Sequence, residues 1–258
     1  MNKNLFIKAK NILRQILPWS VKNVIKKARI LTLRGSRFYC PICERSFRKF
    51  YKSGVNPRPN VRCPGCGSLE RHRLLWVALC NLQDKGIIQV GGRLLHVAPE
   101  PCLADKFKKK YDYMSIDLDA KNAMMAMDLT AMTFEDNSFD AIICNHVLEH
   151  IQDDRKAIKE IYRVLKFGGW ASIQVPMRGD ITREDLSITD PKERFRLYGQ
   201  NDHVRYYGRD FVERLGKVGF EVLFIQKGDL LEPDKLKRSS VDCEREVILC
   251  RKMKISRK

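Results

Sequence analysis

Four cysteines form the clearest chemical pattern in this chain. Cys40-Pro-Ile-Cys43 and Cys63-Pro-Gly-Cys66 make up C-x2-C-x19-C-x2-C. Four thiolates in two tight knuckles match the tetrahedral preference of Zn2+, and the spacing is that of a zinc ribbon. A closed set of four sulfurs leaves no position for water, so the ion is expected to be structural. An iron–sulfur cluster is the weaker alternative on the same ligands. Between the pairs stand Arg45, Arg48, Lys49, Lys52, Arg58 and Arg62, interleaved with Phe47, Phe50 and Tyr51. Such interleaving suits nucleic acid or a phosphate-bearing sugar. Phe47 and Phe50 are read instead as the ribbon's own small core.

A second group of candidate residues follows a hundred positions later. His146 and His150 lie in Asn145-His-Val-Leu-Glu-His150, and a polar segment over 177–207 holds Arg178, Asp202, His203, Arg205 and Tyr206. Imidazole titrates near neutrality and can take a proton from a reacting hydroxyl. His203, oriented by Asp202, and His146 are therefore the candidate bases. The arginines can hold a phosphate or carboxylate. Arg178, Asp202, His203, Arg205 and Tyr206 are read together as an acceptor-binding set, because a long polar connection is usually functional. His150 is read as structural. His72, beside a knuckle, is read as structural or substrate-facing, not as a metal ligand.

The elements that must position these residues can be read from periodicity. Phe139 to Cys144 is a short apolar run, a buried strand. Asp153 to Leu165 has helical spacing, with Gly168-Gly169 as its stop. Trp170 to Val175 is a second strand. Strand, helix, strand in so few residues is a βαβ unit, so the strands are parallel and ligands bind beyond their carboxyl ends. Upstream, Arg93–Ala98, Tyr113–Asp117 and Met124–Leu129 read as strands, with a helix over Leu103–Tyr111. Downstream come a helix (Arg209–Val218), a strand (Phe220–Ile225), a charged loop (Gly228–Glu244) and a last strand (Glu246–Cys250). Ser68 is the expected N-cap of a linking helix that joins the ribbon to the sheet.

The stretch FDAIICNHVLEHIQDDRKAIKEIYRVLKFGGWASIQVP resembles the second half of a class I S-adenosylmethionine (SAM)-dependent methyltransferase of the broad type 11 group. The resemblance covers Arg93 to Arg251. It implies an α/β, Rossmann-like seven-stranded sheet with helices on both faces, closed by an antiparallel hairpin. It implies SAM as cofactor. Asp117 would receive the ribose hydroxyls, Asp128 and Leu129 would meet the adenine edge, and Asn145 and His146 would lie beside the methionine moiety. The chain departs from the family where the glycine-rich turn belongs, having Ala98-Pro-Glu100-Pro101 instead. Glu100 is then left to receive the SAM amino group, and Ala98 to permit a close approach. Over nearly its whole length the chain also resembles a bacterial subset with this turn, a preceding two-knuckle ribbon and a segment like Gln200-Asn-Asp-His203-Val-Arg205. That subset is associated with cell-surface saccharide genes. The expected activity is methyl transfer to a saccharide or phosphate-bearing small molecule near a membrane surface. The alternatives are an RNA methyltransferase that grips RNA with its basic ribbon, and a non-catalytic binding module.

Charge divides the chain unevenly. Of the net +18, residues 1–92 hold 19 Lys/Arg against 3 Asp/Glu, while 93–258 hold 30 against 28. Met1 to Arg37 carries ten bases and no acid, with apolar residues at helical spacing on either side of Pro18. Such basic amphipathic helices suit an anionic membrane surface, through residues 1–30, or an apolar face on the protein's own body or a partner. No apolar run is long enough to span a membrane, and Lys8, Lys10 and Arg14 interrupt any signal-peptide core. A cytoplasmic protein, peripheral to the inner membrane face, is expected. The resulting division is 1–37 basic helical segment, 38–67 zinc ribbon, 68–92 linking helix and 93–258 methyltransferase domain, with 177–207 as acceptor-binding insertion.

Overall fold

The computed structural model describes residues 18–241 and 246–253. The first half of the basic amphipathic segment and Cys243 lie outside the described residues. Helix α1 (Trp19–Thr32) leads into the hairpin β1 (Arg34–Cys40) and β2 (Arg45–Phe47), then β3 (Tyr51–Ser53) and β4 (Arg58–Arg62). Helix α2 (Glu70–Asp84) follows. Then come β5 (Arg93–Val97), α3 (Pro101–Phe107), β6 (Asp112–Asp117), β7 (Met125–Ala126), β8 (Phe139–Asn145), α4 (Asp154–Val164) and β9 (Leu165–Gln174). The insertion contains β10 (Arg183–Glu184), α5 (Pro191–Tyr198) and β11 (Arg205–Tyr206). The chain closes with α6 (Phe211–Val218), β12 (Phe220–Gln226), α7 (Pro233–Ser239) and β13 (Glu246–Lys252).

Seven strands form one sheet in the order β12-β13-β9-β8-β5-β6-β7. All neighbours are parallel except β13, which runs antiparallel to β9 and β12. The central strands are apolar on both sides, as strands covered by helices must be. Leu94, Ile143 and Leu249 face one layer with α2 and α3; Leu95, Ile142 and Cys144 face the other with α4 and α6. Ala157, Ile158, Ile161 and Val164 of α4 are fully buried there. Asp153 caps that helix by accepting the Lys156 N–H at 2.9 Å, worth about 1 kcal/mol.

Four local expectations need correction. Helix α4 ends at Val164, not at the glycine pair, and β9 begins at once. Gly168-Gly169 lie inside β9, where the register with β8 slips between Phe139↔Leu165 and Ala141↔Trp170. Gly168 takes φ +81°, so the glycines serve a bulge rather than a helix stop. The third strand is two residues long, because β7 is an edge strand paired only with β6. The charged loop contains α7, whose buried Leu236 anchors an otherwise polar helix. Ser68 does not cap α2; Leu69 holds that position and Ser68 turns its hydroxyl to the cysteines.

The ribbon is not a free-standing module. Phe47 and Phe50 fill its core, and that core is continuous with the α2 layer of the sheet. Arg73 rivets the junction. Its guanidinium is fully buried and donates to the carbonyls of Val61, Ser68, Ser239 and Ser240 at 2.7–2.9 Å. It also lies 4.8 Å over the Phe50 ring. Among the described residues no helix is long and apolar enough to cross a membrane. Val24 and Leu31 of α1 are exposed.

Candidate active site

The carboxyl edge of the parallel strands gathers the expected cofactor residues. Ala98 follows β5, Asp117 ends β6, Asp128 and Leu129 follow β7, and Asn145 and His146 end β8. Ala98 donates its N–H to Ile116 O at 2.8 Å and His146 to Gln174 O at 2.7 Å, and both then turn with φ of +46° and +54°. Left-handed backbone at non-glycine residues costs roughly 1–2 kcal/mol each and clusters at functional sites. Ala98 thus adopts the conformation a glycine would supply, and its single methyl is the smallest side chain that replaces one.

Glu100 sits at the start of α3 beneath this turn. His96 Nε2 lies 2.7 Å from its Oε2, and Asn145 donates to its Oε1 at 3.3 Å. Behind them, His96 Nδ1 meets Tyr113 Oη at 3.1 Å, and Ser172 donates to Asn145 Oδ1 at 3.2 Å. Burial alone would raise the Glu100 carboxyl, but the His96 hydrogen bond and the neighbouring imidazoles bring it below its ordinary value. It is therefore an anion at neutral pH. Asp117 uses Oδ1 to accept from the Asp119 N–H at 2.8 Å and from Asn122. Its other oxygen remains available to a diol. Asp128 uses Oδ1 for the Thr130 N–H at 2.8 Å.

Beyond the ends of β8 and β9 lies a cleft of about 500 Å3. Its walls are Arg71, Leu74 and Leu75 of α2, His146, the Gln174–Gly179 strand exit, Tyr206, Arg209 and the start of β13. The guanidiniums of Arg178 and Arg71 have no hydrogen-bond or ion-pair partner among the described residues, and Arg71 Nε is buried; the Arg178 backbone N–H donates to Tyr207 O at 2.8 Å. Arg209 reaches Glu246 only at 3.6 Å. His146 Nδ1 stands 3.3 Å from Glu149 Oε1, which leaves the other ring nitrogen for the cleft.

Residues 85–173 match the family model described as a methyltransferase domain. That span runs from the end of α2 into β9 and holds the carboxyl ends of β5, β6, β7 and β8. The match to a methyltransferase domain thus covers about a third of the chain. Ajmaline N-methyltransferase of Rauvolfia serpentina is 28% identical over 133 residues, covering 44% of this chain and 42% of its own. Sterol 24-C-methyltransferase of Schizosaccharomyces pombe is 32% identical over 206 residues, covering 78% of this chain and 49% of its own. The chain thus spans under half the length of either curated relative. Among solved structures, the 1,6-didemethyltoxoflavin-N1-methyltransferase of Burkholderia thailandensis has TM-score 0.48 at 15% identity, over 70% of this chain and 78% of that one. Phosphoethanolamine N-methyltransferase 2 of Haemonchus contortus has TM-score 0.45 at 18% identity, over 68% of this chain and 52% of that one.

Around the cleft the expected acceptor and base residues divide. Arg178, Tyr206 and His146 reach the cleft; His203, Arg205 and Asp202 do not. His203 is buried with its ring edge-on to His150, and its Nδ1 is 3.1 Å from Tyr198 O, so it is not placed as a base for an acceptor in the cleft. Asp202 pairs with His150 at 3.2 Å instead of orienting His203. Arg205 is a rivet: its buried guanidinium donates to Glu184 and to the carbonyls of Leu148, Ile151 and Gln152. Periodicity missed Arg71, Arg209 and His96. A histidine inside the apolar run RLLHV was the available signal for the last.

The four ribbon cysteines converge. Cys40 and Cys66 sulfurs are 3.6 Å apart and Cys43 and Cys63 sulfurs 3.7 Å. In both knuckles the fifth residue returns its N–H to the first cysteine's carbonyl, Glu44 at 2.8 Å and Gly67 at 3.0 Å. Both take positive φ. The Ser68 hydroxyl lies 3.2–3.3 Å from two of the sulfurs.

Proposed function

We propose that this protein moves a methyl group from SAM to a nucleophilic atom of a small anionic acceptor, phosphate- or carboxylate-bearing and of the saccharide class. The observation that carries this reading is the pair of unpartnered guanidiniums, Arg71 and Arg178, on one cleft beside the carboxyl edge of β8. Two arginines without carboxylates are a site for a bidentate oxyanion. SAM supplies an electrophilic methyl on a sulfonium. Asp117 fits the ribose diol, the Glu100 carboxylate fits the amino group, and the turn at Ala98 lets the cofactor approach the backbone. Bound there, SAM would supply the methyl group, and the cleft residues would hold the acceptor's nucleophilic atom in line with it. A hydroxyl acceptor also releases a proton, which His146 accepts while Glu149 steadies the resulting imidazolium. The protein's share is alignment and proximity.

The cysteine cluster is assigned a structural Zn2+. Zinc–sulfur bonds of about 2.3 Å require sulfur separations of about 3.8 Å in a tetrahedron, close to the distances between the thiols. Ser68 then serves as an outer hydrogen-bond donor. Methyl transfer to a panel of phosphorylated and uronic saccharides, with Arg178→Ala alongside, tests the acceptor reading. The expected result is a KM for the anionic acceptor raised about 10- to 100-fold with SAM affinity unchanged. Turnover of uncharged sugars alone, indifferent to Arg178, would exclude it.

A further inference from the structure

A second cluster lies one side chain behind the cleft. Ligand atoms of Glu149, His150 and His203 fall within 4.8 Å of one another. Glu149 is 1% exposed and His203 3%. Glu149 Oε2 and His203 Nε2 are both buried without a hydrogen-bond partner. Burying two bare polar atoms costs a few kcal/mol unless something occupies the space between them.

The outer atom of each residue is held. His203 Nδ1 faces the Tyr198 carbonyl at 3.1 Å, so Nδ1 carries a proton, and in the neutral ring Nε2 presents a lone pair. His150 Nδ1 faces Asp202 Oδ2 at 3.2 Å, and Glu149 Oε1 faces His146 Nδ1 at 3.3 Å. Carbonyl or carboxylate behind imidazole is how metal-ligating histidines are oriented.

We propose that Glu149, His150 and His203 bind a divalent first-row transition metal ion as a two-histidine, one-carboxylate site. Two imidazole nitrogens favour zinc, iron, cobalt or nickel over magnesium or calcium. The ligand atoms close by about 1 Å or less to reach bonds of roughly 2.1 Å. His150, at the surface, marks the side from which the ion enters. Through Glu149 the ion lies next to His146, on the wall of the cleft. The site stands independently of the methyl-transfer reading.

Cobalt separates it from the ribbon. The full chain, stripped of metal and titrated with Co2+, is expected to take up two equivalents. One gives the intense thiolate charge-transfer band of a four-cysteine site; the other adds only weak d–d absorption. His150→Ala, whose side chain is 35% exposed, should keep the thiolate band and weaken the second ion about 100-fold or more. His203→Ala should do the same if it folds, and the thiolate band reports whether it has. A wild-type protein that binds one equivalent, all of it thiolate-bound, would overturn the proposal. So would a second equivalent that survives His150→Ala.

Discussion

At the scale of single residues, strain and burial mark the site better than residue type does. Ala98 holds a left-handed backbone at the place where a glycine relieves it. Ala98→Gly should therefore raise stability by about 1 kcal/mol without weakening SAM binding, measured by urea denaturation and calorimetry. His146→Gln should lower kcat by about 10²–10⁴ for a hydroxyl acceptor and leave SAM affinity intact; an unchanged kcat would mean that the acceptor needs no base. His72 offers a pH test. Burial drives its pKa down to about 4, below the unfolded value of 6.5. The unfolded chain then binds more protons between those values, so stability is complete above 6.5 and falls as pH drops toward 4. Roughly 2 kcal/mol should be lost between pH 7 and 4.5, and His72→Gln should flatten that slope. The strand-end positions of Asp117 and Asn145 were legible in the sequence because each ends an apolar run, while the roles given to them come from the resemblance. Arg205 and His203 were not, because their burial depends on Leu148–Gln152, more than fifty positions away.

At the scale of elements, the parallel core was legible from short apolar runs separated by helical periods. The junctions were not. Gly168-Gly169 has the composition of a helix stop, yet pairing with β8 starts three residues earlier and takes the glycines into a strand. In the sequence Arg73 is one more charge in the run Glu70-Arg71-His72-Arg73. Its burial follows from a meeting of α2, the ribbon and α7 that no local pattern announces. Arg73→Leu strips the guanidinium from the carbonyls of Val61, Ser68, Ser239 and Ser240, although Ser68 O keeps the Cys63 N–H at 2.9 Å. A loss of about 3–5 kcal/mol is expected by denaturant titration, since removing one partner strands the others. An effect below 1 kcal/mol would mean that water replaces the guanidinium and that the junction is loose.

At the scale of the whole molecule, ribbon and sheet share one hydrophobic layer. Stripping the ribbon with a strong chelator should lower the melting temperature of the entire chain in one transition; two separate transitions would show a ribbon that folds alone. The uneven charge has a structural counterpart. The basic third forms α1, the ribbon and α2, the balanced remainder builds the sheet, and the arginine cleft lies where they meet, with Arg71 from the first and Arg178 and Arg209 from the second. Under the proposed reading, SAM and acceptor would occupy neighbouring strand ends, as a displacement in line requires. The most direct measurement is calorimetric titration of the zinc-loaded protein with SAM and with S-adenosylhomocysteine, beside Asp117→Ala. Micromolar binding of both, lost in the variant, is the expected result. A folded, zinc-loaded protein that binds neither would contradict the assignment of this edge to methyl transfer.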